Sequence, residues 1–484
     1  MSPAPAPSDR SRSRGLGPWR VAFIACLWLN QSFGLDAWEK VRYAVFTDPA
    51  AHLVDAARYP LIFLYRRSAD EAMYYGTAAQ ILGQPYDRRV VSHHTRGRVP
   101  GLAGFDAPPP PADGRWHMPW VEVPLEYSAL LLPFVLAPKL VTTEFEPYAR
   151  VFGLLMGLCM VLAIALAIDL LKRARASKAE IEVRWWLGAG LLLAQGALTI
   201  QRLDPVVALL MIAMVRGAAR RSPRQLGLLA GLAGACKIVP LLVVPVIVAA
   251  DWPFWRSRIR RLASMGAWLA AGLGLGFGPM LLASRGALVD LLRYHGARGL
   301  QVESTLGVLL GAVRLLCGTS APATVSYGSF NIDGSVPDLL ARLALPITLA
   351  GVAALTAIEV RAASFRPWGA GDADGEGGEP APIARIASAA FGATVLVWLC
   401  GKVFSPQYLT WGIPLVLAIP GRRGTVAIWI AGVALSMTQV YYRGYYDFVF
   451  HQRFAGVFTV LLRQAVLAGL LVFVTRRPRA EGVT

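Results

Sequence analysis

Residues 225–250 read QLGLLAGLAGACKIVPLLVVPVIVAA. An apolar run of this length could cross a bilayer as one helix, at ~1.5 Å per residue against a ~30 Å core. Two features argue against that reading. Lys237 would sit near the middle of the hydrocarbon, at a cost of roughly 3 kcal/mol on insertion scales. Basic clusters also flank the run, Arg216 to Arg224 before it and Arg256 to Arg261 after it. Positive loops stay cytoplasmic, so a single crossing would strand one cluster outside. The pattern predicts two short arms meeting at Lys237-Ile238-Val239-Pro240. A twelve-residue arm covers only about 18 Å, which places Lys237 at the floor of an outward-facing cavity.

The same parity test extends along the chain. Other basic clusters are Arg10 to Arg14, Lys172 to Arg184, Arg422-Arg423 and Arg476 to Arg479. A first span at about 18–35 leaves the cell. Of the next two apolar runs, about 124–141 and 148–171, only one can cross if Lys172 is to stay inside. The first is broken by Pro124, Pro133 and Pro138, and proline interrupts helical hydrogen bonding. It is therefore expected to lie on the surface or re-enter. Residues 36–147 become one large extracytoplasmic loop. The Gln201 to Pro205 turn forms a second hairpin, with a short arm from 205 to 217. Further spans are expected at about 262–283, 338–360, 386–402, 407–420, 424–440 and 454–474. The stretch 304–316, short and carrying Arg314, should lie along the outer surface or re-enter. Residues 361–385, rich in Gly, Pro and acid, read as a flexible cytoplasmic linker. The expectation is a single all-α polytopic domain with about twelve transmembrane helices and both ends inside.

Composition agrees with a membrane protein. The chain has 484 residues, 55% of them hydrophobic and 16% charged, with a mean hydropathy of +0.48. A soluble chain of this length would carry far more charge. The net charge of +18 does not indicate nucleic acid, because the arginines fall in short loops where membrane orientation explains them. The five cysteines lie in or beside apolar stretches without metal-type spacing, so neither disulfide nor zinc is expected. Arg10, Arg12 and Arg14 precede an apolar run without a clear small-x-small cleavage site, which predicts an uncleaved signal anchor.

The polar residues that parity places outside are scattered in sequence yet converge on one face. They are Asp70 and Glu71, Arg150, Arg202 and Asp204, Lys237, Tyr294-His295, Arg298, Glu303, and Lys402 with Ser405-Pro406-Gln407-Tyr408. Several cations around an acid suit a phosphate-bearing lipid substrate and a hydroxyl nucleophile. Cations neutralise a leaving phosphate, and a carboxylate accepts the hydroxyl proton. Each residue also has a plainer reading. Asp70 could be a solvated loop acid, Arg150 an interface anchor, and Lys237 a snorkelling lysine. Arg202 and Asp204 could form a local ion pair, and His295 could be a loop hydrogen bonder. Tyr441, Tyr442, Tyr445 and Tyr446 read as an interfacial aromatic belt. His93-His94 lacks a third ligand, so no metal site is expected.

Certain phrases carry a resemblance. They are Asp70-Glu71 with Tyr74-Tyr75 and Gly83-Gln84-Pro85-Tyr86, then Glu146-Pro147-Tyr148-Ala149-Arg150, then Arg202-Leu203-Asp204-Pro205. Lys237-Ile238-Val239-Pro240, the run from Tyr294 to Ser304, and Ser405-Pro406-Gln407-Tyr408 follow. In this order, with a large first loop, the chain resembles the GT-C superfamily of integral-membrane glycosyltransferases. Within it, the chain is similar to the bacterial polyprenol-phosphate-mannose-dependent alpha-mannosyltransferase branch.

The resemblance implies juxtamembrane helices in the first loop. It also implies inverting transfer of a sugar, mannose foremost, from a polyprenyl-phosphate donor to a glycolipid or glycan hydroxyl outside the bacterial plasma membrane. No cofactor or metal is implied. Asp70 takes the place of the catalytic base, with Arg150 and Lys237 on the lipid phosphate and His295 near the active site. Glu71, Tyr74, Arg202, Asp204, Arg298, Glu303, Lys402, Gln407 and Tyr408 are the remaining candidate substrate contacts. The family's Tyr-Pro-Pro motif appears here only as Val123-Pro124-Leu125-Glu126-Tyr127, which leaves the acceptor open. Two other readings stand beside this one: a lipid or sugar-lipid transporter, built on broken helices and buried charge, and a non-catalytic subunit of an envelope assembly.

Overall fold

The computed structural model describes residues 69–86, 113–319, 323–327, 329–364, 383–444 and 446–476. The expected first span, His93-His94 and most of the acidic linker lie outside them.

The chain is a mostly helical, membrane-embedded protein. Among the described residues, six helices are long and apolar enough to cross a membrane: Phe145–Arg173, Ile259–Ala283, Ser335–Ser364, Ile383–Cys400, Gly421–Tyr442 and Phe454–Thr475. The expected first span lies outside the described residues, and several of the other expected spans are helices shorter than 18 residues. In chain order the described elements begin with α1 (Ala69–Ile81), a 3-10 turn (Ala129–Leu131), α2 (Leu132–Val141), α3 (Phe145–Arg173) and α4 (Lys178–Gln195). Then come α5 (Asp204–Ala219), α6 (Pro223–Cys236), α7 (Val239–Ala250), α8 (Trp252–Arg256), α9 (Ile259–Ala283) and α10 (Ala287–Ala297). After β1 (Leu300–Gln301), α11 (Thr305–Leu316), β2 (Thr324–Ser326) and β3 (Ser329–Ile332) come α12 (Ser335–Ser364) and α13 (Ile383–Cys400). A 3-10 turn (Pro406–Tyr408), α14 (Leu409–Leu417), α15 (Gly421–Gly444), α16 (Tyr446–Phe450) and α17 (Phe454–Thr475) complete the chain.

Both predicted hairpins are present. The 225–250 run is α6 and α7, broken at Lys237, whose extended backbone (φ −152°, ψ 141°) ends α6. Two prolines, Pro240 and Pro245, lie in α7. The Gln201 to Pro205 turn joins α4 to α5, with Pro205 in the first helical turn, where its missing N–H has no intrahelical role. The 124–141 run becomes a 3-10 turn and the ten-residue α2 with Pro138 inside, too short to span at ~1.5 Å per residue.

One expected span is overturned. Residues 407–420 form only the nine-residue α14, about 14 Å long, and all nine residues are buried. α14 is a third broken helix, set against α3, α4, α5 and α13. The side-chain amide of Gln195 anchors its start, donating to the Pro406 carbonyl at 3.1 Å and the Thr410 hydroxyl at 3.0 Å. The linker is also shorter than expected: α12 runs to Ser364 and α13 begins at Ile383. The Arg385 guanidinium joins the two helices through the Glu359 carboxylate at 3.1 Å and carbonyl at 2.6 Å. A three-stranded antiparallel sheet, ordered β1-β3-β2, is an addition to the all-α expectation.

The α6–α9 crossing rests on glycines. A Cβ on Gly231 would lie 2.2 Å from the Leu269 carbonyl, and one on Gly272 2.4 Å from the Leu228 carbonyl. Small residues four apart let two backbones approach without a hydrophobic drive between helices in lipid.

Candidate functional site

Asp70 belongs to a helix rather than a loop. It lies with Glu71 in the first turn of α1, where negative charge favours the helix dipole. The far end of α1 is stopped by Gly83 at φ +59°, where a Cβ would strike the Arg115 backbone at 2.4 Å. The Gly114 amide donates to the Gly83 carbonyl at 3.0 Å and that of His117 to the Ile81 carbonyl at 2.8 Å. The Gly83-Gln84-Pro85-Tyr86 phrase therefore brings residues 113–127 back to α1. Among the residues returned are Glu126 and Tyr127, whose ring meets that of Tyr74 edge-on at 5.7 Å.

The three helix breaks meet under this lid. Lys237, between α6 and α7, donates to the Asp204 carboxylate at 3.2 Å. The Trp411 indole on α14 donates to the same oxygen at 2.7 Å. The Lys237 ammonium also lies 4.7 Å from the Tyr408 ring centre and 5.3 Å from that of Trp411. Arg202, from the α4–α5 break, forms an ion pair with Asp70. Arg202 and Asp204 are two residues apart but do not pair locally. Each reaches across to a different helix.

A third cluster comes from α10 and the turn after it. Arg298 faces Glu126 at 3.8 Å and lies 5.2 Å from the Tyr294 ring centre. Burial opposes the Arg298 charge, but Glu126, Tyr408 and Tyr294 outweigh it and raise its pKa further. Burial and Glu126 push the Tyr294 phenol up. His295 is exposed in the last turn of α10. Desolvation, then Arg298, lowers it to about 4, with smaller repulsion from Lys237 and Lys402. Burial, then the Asp204 and Glu126 charges, outweighs the Tyr127 contact and raises the Tyr74 phenol. These mutual influences place Glu126, Asp204, Lys237, Arg298, Lys402 and Tyr408 in one electrostatic neighbourhood.

Not every expected residue joins it as expected. Glu71 is fully buried and engaged, whereas the Asp70 side chain keeps 21% of its surface, so Asp70 is the reachable acid of the pair. Arg150 is exposed on α3; among the described residues, Arg202 is the cation paired with Asp70. Lys402 donates to the carbonyls of Gly296 and Arg298, each at 2.7 Å. It thereby anchors the end of α10, and burial lowers its pKa. Gln407 is half-buried in the turn leading to α14.

Glu303 lies elsewhere and has no exposed surface. Its oxygens accept from Tyr441 at 2.9 Å and from Tyr446. Arg463 and Gln464 each donate to its backbone carbonyl at 2.9 Å. Tyr441 and Tyr446 are thus clamps on a buried carboxylate and not an interfacial belt. Among the described residues, no three His, Cys, Asp or Glu side chains gather as a metal site.

Glu126 and Trp411 had no assigned role in the sequence reading. Trp411 lies three residues after Tyr408, at a spacing that shares one helical face. Glu126 lies in the Val123-Pro124-Leu125-Glu126-Tyr127 stretch, which the sequence presents only as a reduced form of the Tyr-Pro-Pro motif. No protein-family model matches the chain, and no curated protein does.

Proposed function

We propose that the chain is an inverting glycosyltransferase that uses a polyprenyl-phosphate sugar, mannose being the sugar the resemblance favours. One observation carries the reading: a reachable carboxylate, Asp70, is held beside a guanidinium where two helix breaks bring Arg202 and Lys237 together, with Arg298 supplied from the end of α10. An acid for a hydroxyl proton and cations for a phosphate are the two requirements of the reaction.

Asp70 takes the proton of an acceptor hydroxyl. The oxygen forms its bond to the anomeric carbon as the bond from that carbon to the phosphate oxygen breaks. The electron pair leaves on polyprenyl phosphate, where cations stabilise it. Held in line, the reactants also gain from positioning. A GT-C architecture, a bacterial plasma membrane and an outward-facing site belong to the same proposal.

The test is transfer from labelled polyprenyl-phosphate mannose to membrane acceptors by the purified protein. Asp70→Asn is expected to lower transfer by about 10²–10⁴-fold, the range for general base catalysis. Unchanged transfer would remove Asp70 as the base. The broken helices also suit a transporter. Protein-dependent movement of labelled lipid across vesicles, without donor-dependent product, would favour that reading.

A further inference from the structure

We propose that the phosphate of the lipid donor exchanges partners with the base: it takes Arg202 from Asp70 and so unmasks the carboxylate. The inference rests on the glycosyl-transfer reading and adds an order of events to it.

Both cations from the helix breaks are already occupied by acids. Arg202 is held by Asp70, and Lys237 by Asp204. The two pairs differ in kind. Asp204 is held from two sides, by Lys237 and by the Trp411 indole, and is only 3% exposed. Asp70 keeps more of its surface, and Arg202 is its ion-pair partner. The Arg202 Nε is buried without a hydrogen-bond partner, so the guanidinium is under-satisfied, and a buried donor without a partner is costly. The donor's phosphodiester presents two non-bridging oxygens and can engage a guanidinium through two parallel bonds, as can the polyprenyl monophosphate it leaves behind.

The backbone favours an anion at the same place. α5 starts at Asp204 and α7 at Val239, so the positive ends of two helix dipoles lie at the junction and favour negative charge. Broken helices that aim N-termini at an anionic group are a recurring membrane-protein device.

In the resting state an ion-paired Asp70 is a poor base, because the neighbouring guanidinium stabilises its charge. When a lipid phosphate engages Arg202 and Lys237, Asp70 is released toward the acceptor hydroxyl. After transfer, Asp70 carries the acceptor's proton and is neutral. Once that proton passes to water, the carboxylate reclaims Arg202 and expels polyprenyl phosphate. The pair therefore prevents activation of a hydroxyl, or of water, before the donor is present.

The test needs neither sugar nor acceptor. Binding of a short-chain polyprenyl monophosphate is measured on the full-length protein in detergent, with inorganic phosphate and uncharged polyprenol as the other arms. Asp70→Asn removes the competitor and should tighten lipid-phosphate binding about tenfold, equivalent to ~1.4 kcal/mol. Arg202→Gln should weaken it, and in the double variant the gain from Asp70→Asn should vanish, as a coupled pair requires. A gain that survives Arg202→Gln would reduce the effect to a general field and overturn the exchange; so would absence of a gain. If Arg202→Gln does not fold, Arg202→Lys keeps the charge without the planar fork, and the Asp70→Asn gain should then shrink. Inorganic phosphate binding as well as the lipid would assign the site to phosphate alone. Loss of transfer without tighter binding in Asp70→Asn would leave the base standing and sink only the exchange.

Discussion

Asp70 and Glu303 are two acids drawn from the same predicted polar face, and they occupy opposite environments. Glu303 is fully buried, with its oxygens on two tyrosine hydroxyls, its carbonyl on Arg463 and Gln464, and Tyr441 itself held by Arg463. Burial raises its pKa despite Arg463 and both tyrosines. Asp70 lies at the start of a helix, keeps part of its surface and faces Arg202. The difference teaches how to separate a structural acid from a reactive one. A carboxylate fixed from several sides cannot change partner without breaking a network. A carboxylate held by one exchangeable cation can take part in a reaction. Proximity to cations is common to both and decides nothing by itself.

Substitutions can break this comparison. The largest effect should come from Asp70→Asn, a loss of about 10²–10⁴ in transfer rate, with the melting temperature in detergent nearly unchanged. A large drop in melting temperature would put Asp70 in the structural class with Glu303.

Glu303→Ala should do the reverse. Removing one partner from a buried charged network costs about 3–5 kcal/mol. Thermal unfolding should fall markedly, while any protein that remains folded keeps its affinity for lipid phosphate. A Glu303→Ala protein that melts normally but has lost donor binding would return Glu303 to the site.

A pH series sharpens the contrast on the open side. His295 has its pKa lowered to about 4, below the unfolded value near 6.5. Between these values the unfolded chain binds more protons, so stability is full above about pH 6.5 and declines as pH falls toward 4. His295→Gln should remove part of that acid-side decline in melting temperature. An identical decline in the variant would show that His295 titrates like a free imidazole. The smallest effect is expected at Tyr408. Tyr408→Leu removes one of the two rings beside Lys237, a contribution of about 0.5–2 kcal/mol. Donor KM should rise a few-fold to about thirtyfold, with kcat little changed.

How much was legible follows from the kind of signal. Charge parity and the lysine inside an apolar run predicted the break at Lys237, because a cation and a helix-breaking proline side by side conflict with a single span. Parity also separated α2 from α3. It could not show that α14 is only nine residues long, since apolar composition looks the same in a span and in a buried half-helix. The resemblance implied Arg150 and Lys237 as contacts of the lipid phosphate and named no acid partner for either. The structure pairs Lys237 with Asp204 and Arg202 with Asp70. Spacing along the chain favours the local Arg202–Asp204 pair, and only packing between helices sends the two side chains in different directions. Glu126 and Trp411 went without roles for the same reason: their importance comes from what faces them.

The sequence alone determined a membrane-embedded helical chain, broken helices at Lys237 and near Arg202, and a polar face rich in cations. Those properties follow from transfer energies and backbone chemistry, which act residue by residue. Tertiary structure decided which acid is reachable, which cation it meets, and which carboxylate is sealed into the framework. Pairing and burial depend on neighbours from distant segments, and no local pattern encodes them.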